Sequence, residues 1–144
     1  MKVDWNKRFF DLATYIGSWS KDTTKVGAVI ADYKNSVVSV GYNGYPRNSN
    51  DEFPGRNERP TKYFFTVHAE ANAVSDAARK GVSLNDCTIY VTLFPCSDCA
   101  KLIIQSGIKK VIAPEPDFNN VMWGEHFKCA QKMFEECNVD VKFI

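Results

Sequence analysis

The chain has 144 residues, 44% of them hydrophobic and 13% aromatic, and its 18 Lys and Arg against 17 Asp and Glu give a formal charge of +1. That length suits a single domain, residues 1–144, with one sizeable core; the composition excludes a disordered chain, and the balanced charge gives no global attraction to nucleic acid or anionic membrane. No stretch approaches the ~20 apolar residues of a membrane span, and "MKVDWNKRFF" carries charges where a secretion signal has an apolar run, so a cytoplasmic protein without membrane or nucleic-acid partners is expected.

Asp4 is placed to cap a helix whose apolar residues Trp5, Phe9, Leu12, Ala13, Ile16 and Trp19 recur at helical spacing up to Ser20. "KVGAVIADYKNSVVSVGYN" holds two β-branched runs around a polar break and predicts a hairpin of Val26–Ala31 and Val37–Tyr42. From Gly44 to Thr61 the chain is rich in Pro, Asn, Gly and charge, which predicts a long surface loop with a helical turn as an option. Loops of that length in compact domains are often functional. A helix from about His68 to Lys80 should stop at Gly81, and "CTIYVTLF" predicts a strand over Cys87–Phe94. A helix over Ser97–Ser106, a short buried strand in "KKVIAP", a helix near Glu125–Cys137 and a final strand in "VDVKFI" complete the order. The late strands, joined through helices, read as parallel crossover units, so a mixed sheet between helical layers is expected.

The chemistry centres on "VHAEANAV" and "FPCSDCAKLII". Five cysteines, an odd number, argue against a disulfide framework and for metal binding. Taken alone, Cys96-x-x-Cys99 could be a redox pair, two metal ligands or two small core residues. A helix starting at Ser97 would place both sulfurs on one face near its amino end, where free N–H groups favour thiolates. A tetrahedral zinc site could take them with a third ligand and leave one position open. His68 is the candidate, since the only other histidine is His126. Glu70 would diverge from His68 by about 200° in mid-helix, but at a loop-to-helix junction it can lie beside the open position and move protons without being a ligand. Alone, His68 reads as a hydrogen-bonded, partly buried histidine and Glu70 as a first-turn carboxylate. Together with Pro95, Cys96 and Cys99, after a strand and before a helix, they form the H-x-E … P-C-x-x-C arrangement of zinc deaminases. Cys87 reads as a core residue, Cys129 and Cys137 as core or interface packing beside Met133 and Phe134, and His126 as a surface or interface residue.

With "WSKDTTKVGAVI", "GYNGYPR", "HAEANAV" and "IYVTLFPCSDCAKLIIQSGIKKVI" in order, the chain resembles the cytidine and deoxycytidylate deaminase superfamily, most closely the deoxycytidylate (dCMP) deaminases. The resemblance implies an α/β fold, a three-layer α/β/α sandwich around a mixed five-stranded sheet. It implies hydrolysis of dCMP to dUMP and ammonia, supplying dUMP for thymidylate synthesis. Zn2+ would be held by His68, Cys96 and Cys99, while Glu70 deprotonates the attacking water and then protonates N3 and the leaving amine. Asn43 matches the family asparagine that hydrogen-bonds the nucleotide, and Ala69 would offer its backbone to the base; a turn asparagine is the alternative for Asn43.

Phosphate contacts are expected from the cluster Ser20, Lys21, Thr23, Thr24 and Lys25, although some relatives carry arginine where this chain has Thr23, with Arg47 a further candidate. Many dCMP deaminases are homo-hexamers activated by dCTP and inhibited by dTTP; Gly41, Tyr42, Gly44 and Arg47 are the matching effector candidates, with Mg2+ accompanying the triphosphate. A tight strand exit is the alternative for the glycines. Two departures stand out. Gly44–Val67 has neither Cys nor His, so one zinc per chain is expected, and "IAPEPDFNNVMWGEHF" replaces a tyrosine-rich stretch, leaving Trp123 as the aromatic to cover the base. The competing readings are a deaminase of cytidine or tRNA adenosine, and a non-catalytic nucleotide-binding zinc module.

Overall fold

The computed structural model describes residues 1–144. Its element order is α1 (Trp5–Gly17), β1 (Gly27–Ala31), β2 (Val37–Tyr42), a 3-10 turn (Thr61–Phe64), α2 (Ala69–Lys80), β3 (Thr88–Val91), α3 (Ser97–Gln105), β4 (Lys110–Ala113), α4 (Gly124–Glu136) and β5 (Asp140–Phe143). The five strands form one mixed sheet in the order β2-β1-β3-β4-β5. β1 is antiparallel to β2 and β3, whereas β3, β4 and β5 run parallel, as their helical crossovers require.

Period-two alternation divides the central strands between two cores. Ala28, Ile30, Ile89, Val91, Val111 and Ala113 face the larger one, which Ala73 and Ala77 of α2, Ala100 and Ile103 of α3, and Phe127, Ala130 and Phe134 of α4 complete. The intervening Val29, Ala31, Tyr90 and Ile112 face the other side, where Phe9 and Ala13 of α1 cover them. This gives the expected three layers, with three helices on one face and α1 on the other. No helix is long and apolar enough to cross a membrane.

Two elements are shorter than their patterns suggested. The first helix ends at Gly17, not Ser20, because Gly17 packs against Gly27, where a β carbon would lie 2.8 Å from the Gly27 nitrogen. Its apolar stripe is narrower too: Trp5 and Trp19 are exposed, and Trp19 meets Tyr42 edge-on. The third strand stops at Val91, since Thr92–Pro95 must leave the ladder to enter α3. Buried Phe94 anchors that exit against Phe127 and Phe134.

A candidate metal centre and its cleft

Two helix amino termini converge on one point. His68 is the extended N-cap residue of α2 (φ −69°, ψ 155°), and Cys96 holds the same position in α3 (φ −71°, ψ 172°). The segment leading to His68 is fixed by a two-residue bridge, Val67 N–H donating to Gly44 O at 2.7 Å and Gly44 N–H to Val67 O at 3.1 Å. Asn72 reinforces it, its side-chain amide donating to Tyr42 O at 2.7 Å. His68 therefore stands outside the helical spiral and Glu70 inside it, which removes the divergence the pair would have in mid-helix.

His68 Nδ1 lies 3.5 Å from Cys96 Sγ and 3.5 Å from Cys99 Sγ. The three donor atoms all fall within 4.8 Å of one another. Tetrahedral bonds of about 2.3 Å to sulfur and about 2.0–2.1 Å to nitrogen separate an S and an N donor by about 3.6 Å, so the donor set fits zinc. No further His, Cys, Asp or Glu belongs to the cluster, which is the composition of a site with an open coordination position rather than of a closed structural one.

The ionisation pattern follows from this crowding. Cys96 is pulled down to about 4, first because the Cys99 thiol donates to it and, against the cost of burial, because His68 and the Cys99 backbone N–H also face it. Cys99 keeps the shared proton, pushed up by that same bond and by burial. The hydrogen bond to Cys96 raises His68 above its ordinary value although burial opposes it. Glu70 is buried in the first turn of α2, and burial above all pushes its carboxyl up to about 7. A carboxyl in that state can take up a proton and give it back near neutral pH.

These groups open into a concave cleft that mixes apolar walls with a few polar and charged side chains, the character of a small-molecule site. Its lining includes His68, Ala69, Glu70 and Cys96 together with Asn43 and Trp123. Asn43 is buried and braced: its Oδ1 accepts from Val26 N–H at 2.9 Å and its Nδ2 donates to Thr24 O at 2.7 Å. Trp123 meets His68 edge-on with ring centroids 6.0 Å apart.

Of the remaining sequence candidates, Thr24 lines the cleft and the others lie elsewhere. Lys21 pairs with Asp51 at 2.8 Å, Thr23 Oγ1 donates to Asp22, and Lys25 Nζ donates to Ser20 O; none of the three lines the cleft. Arg47 faces Asp76 at 3.7 Å on the outside of α2. Gly41 is buried beneath α2, Tyr42 is exposed, and Gly44 has open space where a side chain would stand. The cations that do line the cleft are Arg59 and Lys62, which the sequence reading did not single out. Lys62 is buried and pairs with Asp22 at 3.1 Å, whereas Arg59 is exposed. The only signal for them was the length of the loop that carries them.

Residues 3–115 match the family model described as the cytidine and deoxycytidylate deaminase zinc-binding region. An uncharacterized deaminase in the luxG 3′ region of Aliivibrio fischeri is 48% identical over 143 residues, covering 97% of this chain and 93% of that protein. The human deoxycytidylate deaminase is 42% identical over 116 residues, covering 76% of this chain and 64% of its own length. A dCMP deaminase of the cyanophage S-TIM5, solved in complex with dCMP and dUMP, superposes with a TM-score of 0.79 at 26% identity, covering 100% of this chain and 99% of that one.

Proposed function

The chain belongs to the cytidine and deoxycytidylate deaminase family, and we propose that it hydrolyses dCMP to dUMP and ammonia. The observation that carries this reading is the buried Glu70 carboxylate beside a three-donor His68, Cys96 and Cys99 cluster, both opening into a cleft that also presents Arg59 and Lys62.

In this reading His68, Cys96 and Cys99 hold one zinc ion, which when bound supplies the Lewis acidity that makes a water molecule acidic at neutral pH. Glu70 takes one proton from that water as its oxygen bonds to C4 of the base, and passes it to N3. The same carboxylate then carries the remaining proton of the oxygen now on C4 to the 4-amino group; the C4–N bond breaks, ammonia leaves with the bonding pair, and the oxygen stays as the C4 carbonyl. Asn43 cannot swing away because both ends of its amide are held, so it offers a fixed hydrogen-bonding edge to the nucleotide. Ala69 contributes backbone at the start of α2, where amides lack intrahelical partners. Trp123 supplies an aromatic wall for the base. Arg59, which has no carboxylate partner, supplies the positive charge that a 5′-phosphate needs, while Lys62 is balanced by Asp22 in the same cleft.

Regulation by dCTP and dTTP, with Mg2+ on the triphosphate, and assembly as a homo-hexamer extend the same reading. Exposed Tyr42, edge-on to Trp19, and the uncrowded Gly44 support an effector surface there. Zinc-loaded protein incubated with dCMP, CMP, deoxycytidine and a tRNA hairpin should release ammonia fastest from dCMP. A preference for the nucleoside or the tRNA would overturn the substrate assignment.

A further inference from the structure

We propose that His126 is a positioning residue: anchored by its hydrogen bond to Ser97, it fixes Trp123 as the wall of the cleft and thereby sets how tightly the pyrimidine is held. His126 does not line the cleft. Its Nδ1 lies 2.8 Å from Ser97 Oγ, and its ring is tilted 54° against Trp123 with centroids 5.2 Å apart. Trp123 does line the cleft, where it also meets His68 at 6.0 Å and Tyr63 at 6.3 Å, both nearly edge-on.

The indole is thus held by three rings from three elements: the N-cap of α2, the 3-10 turn and the first turn of α4. Two of those rings, His68 and Tyr63, line the cleft beside it. Of the three rings, His126 alone stands outside the cleft lining, and it ties the indole to α3 through a residue that is not a metal donor. Ser97, its anchor, is the first residue of α3 and follows Cys96 directly. The hydrogen bond therefore references the indole to the helix end that carries both sulfurs. Asn120 Oδ1, accepting from Trp123 N–H at 2.8 Å, fixes the backbone but not the ring. With His126 gone, the indole loses the nearest of its three ring contacts and is held less tightly against the base, while the metal donors stay in place.

The inference rests on the proposed function in that the base lies against Trp123, and its test separates the two. In zinc-loaded enzyme, His126→Leu should raise KM for dCMP and the dissociation constant of dUMP about 3- to 10-fold, with kcat and zinc content unchanged. Ser97→Ala should mimic His126→Leu, and the double variant should be no worse than either. In a Trp5→Phe/Trp19→Phe background, acrylamide should quench Trp123 fluorescence more readily after His126→Leu, a readout that needs no substrate. Unchanged KM and quenching in both His126→Leu and Ser97→Ala would overturn the proposal, as would loss of zinc or a fall in kcat at constant KM. If His126→Leu does not fold, Ser97→Ala decides by the same readouts. Failure of the wild-type enzyme to act on dCMP would overturn the substrate reading instead and leave the quenching result to judge His126.

Discussion

Gly41 of β2 lies hard against Ala73 of α2: a β carbon on Gly41 would stand 2.6 Å from the Ala73 nitrogen and 2.4 Å from the Ala69 carbonyl oxygen. Ser39, two residues earlier on the same face, donates from Oγ to Ala73 O at 2.6 Å. The strand thus sets the depth of the helix whose amino end carries His68 and Glu70. Gly41→Ala should push α2 outward, cost about 1–3 kcal/mol by urea denaturation and weaken zinc retention. Gly44→Ala, where nothing lies within 4 Å of the added carbon, should change stability by less than about 0.5 kcal/mol. Equal costs at the two glycines would show that the helix depth is not set at Gly41.

Glu70→Gln preserves the shape of the side chain and the burial around it while removing its capacity to carry protons. Turnover of dCMP should fall by about 10²- to 10⁴-fold, with zinc content by elemental analysis and thermal stability retained. A variant that kept both its zinc and its turnover would take Glu70 out of the proton path.

Much of this arrangement is legible in the sequence because it is built from local signals. All nine regular elements follow from apolar periodicity, and the His68 and Cys96 junctions follow from a motif whose members sit at the starts of two helices. What was not legible depends on distant partners. Lys62 carries no distinguishing local signal in "GRNERPTKY", and only the fold brings Asp22, forty residues earlier, to within 3.1 Å of it. Lys21 and Lys25 stand where the family resemblance places phosphate contacts, yet their ammonium groups turn to Asp51 and to the Ser20 carbonyl. Gly41 carries no local sign that a helix will rest on it.

The Asp22–Lys62 pair ties the Thr61–Phe64 turn to the loop before β1, and both side chains are mostly buried. Burial pushes the Asp22 carboxyl up, but the Thr24 N–H and the Lys62 ammonium together hold it below its ordinary value of 3.8. The native state therefore binds that proton more weakly than the unfolded chain does. The pair's contribution is complete above the ordinary aspartate value and is lost as pH falls through the lowered native one. Asp22→Asn leaves an ammonium buried without its counter-charge and should cost up to about 3 kcal/mol at pH 7. It should also flatten the dependence of unfolding free energy on pH below about 4. Adding Lys62→Met to Asp22→Asn should restore much of the stability, since an apolar side chain needs no partner there. A double variant as unstable as the single one would show that the cost lies elsewhere.

Arg59 has the chemistry to choose between a nucleotide and a nucleoside. It lines the cleft, is exposed, and lacks a carboxylate within 4 Å, so its guanidinium is available to an incoming phosphate, while Lys62 beside it is engaged with Asp22. An Arg–phosphate hydrogen bond contributes about 1.5–3 kcal/mol, which corresponds to a factor of about 10 to 150 in affinity. Arg59→Gln should therefore raise KM for dCMP by about tenfold or more and leave kcat nearly constant, because the phosphate is bound equally in ground and transition states. The same substitution should leave kcat/KM for deoxycytidine unchanged, since that substrate brings no phosphate to lose. Parallel losses for both substrates would place Arg59 against the sugar or base, and no loss for either would assign the phosphate to another part of the cleft.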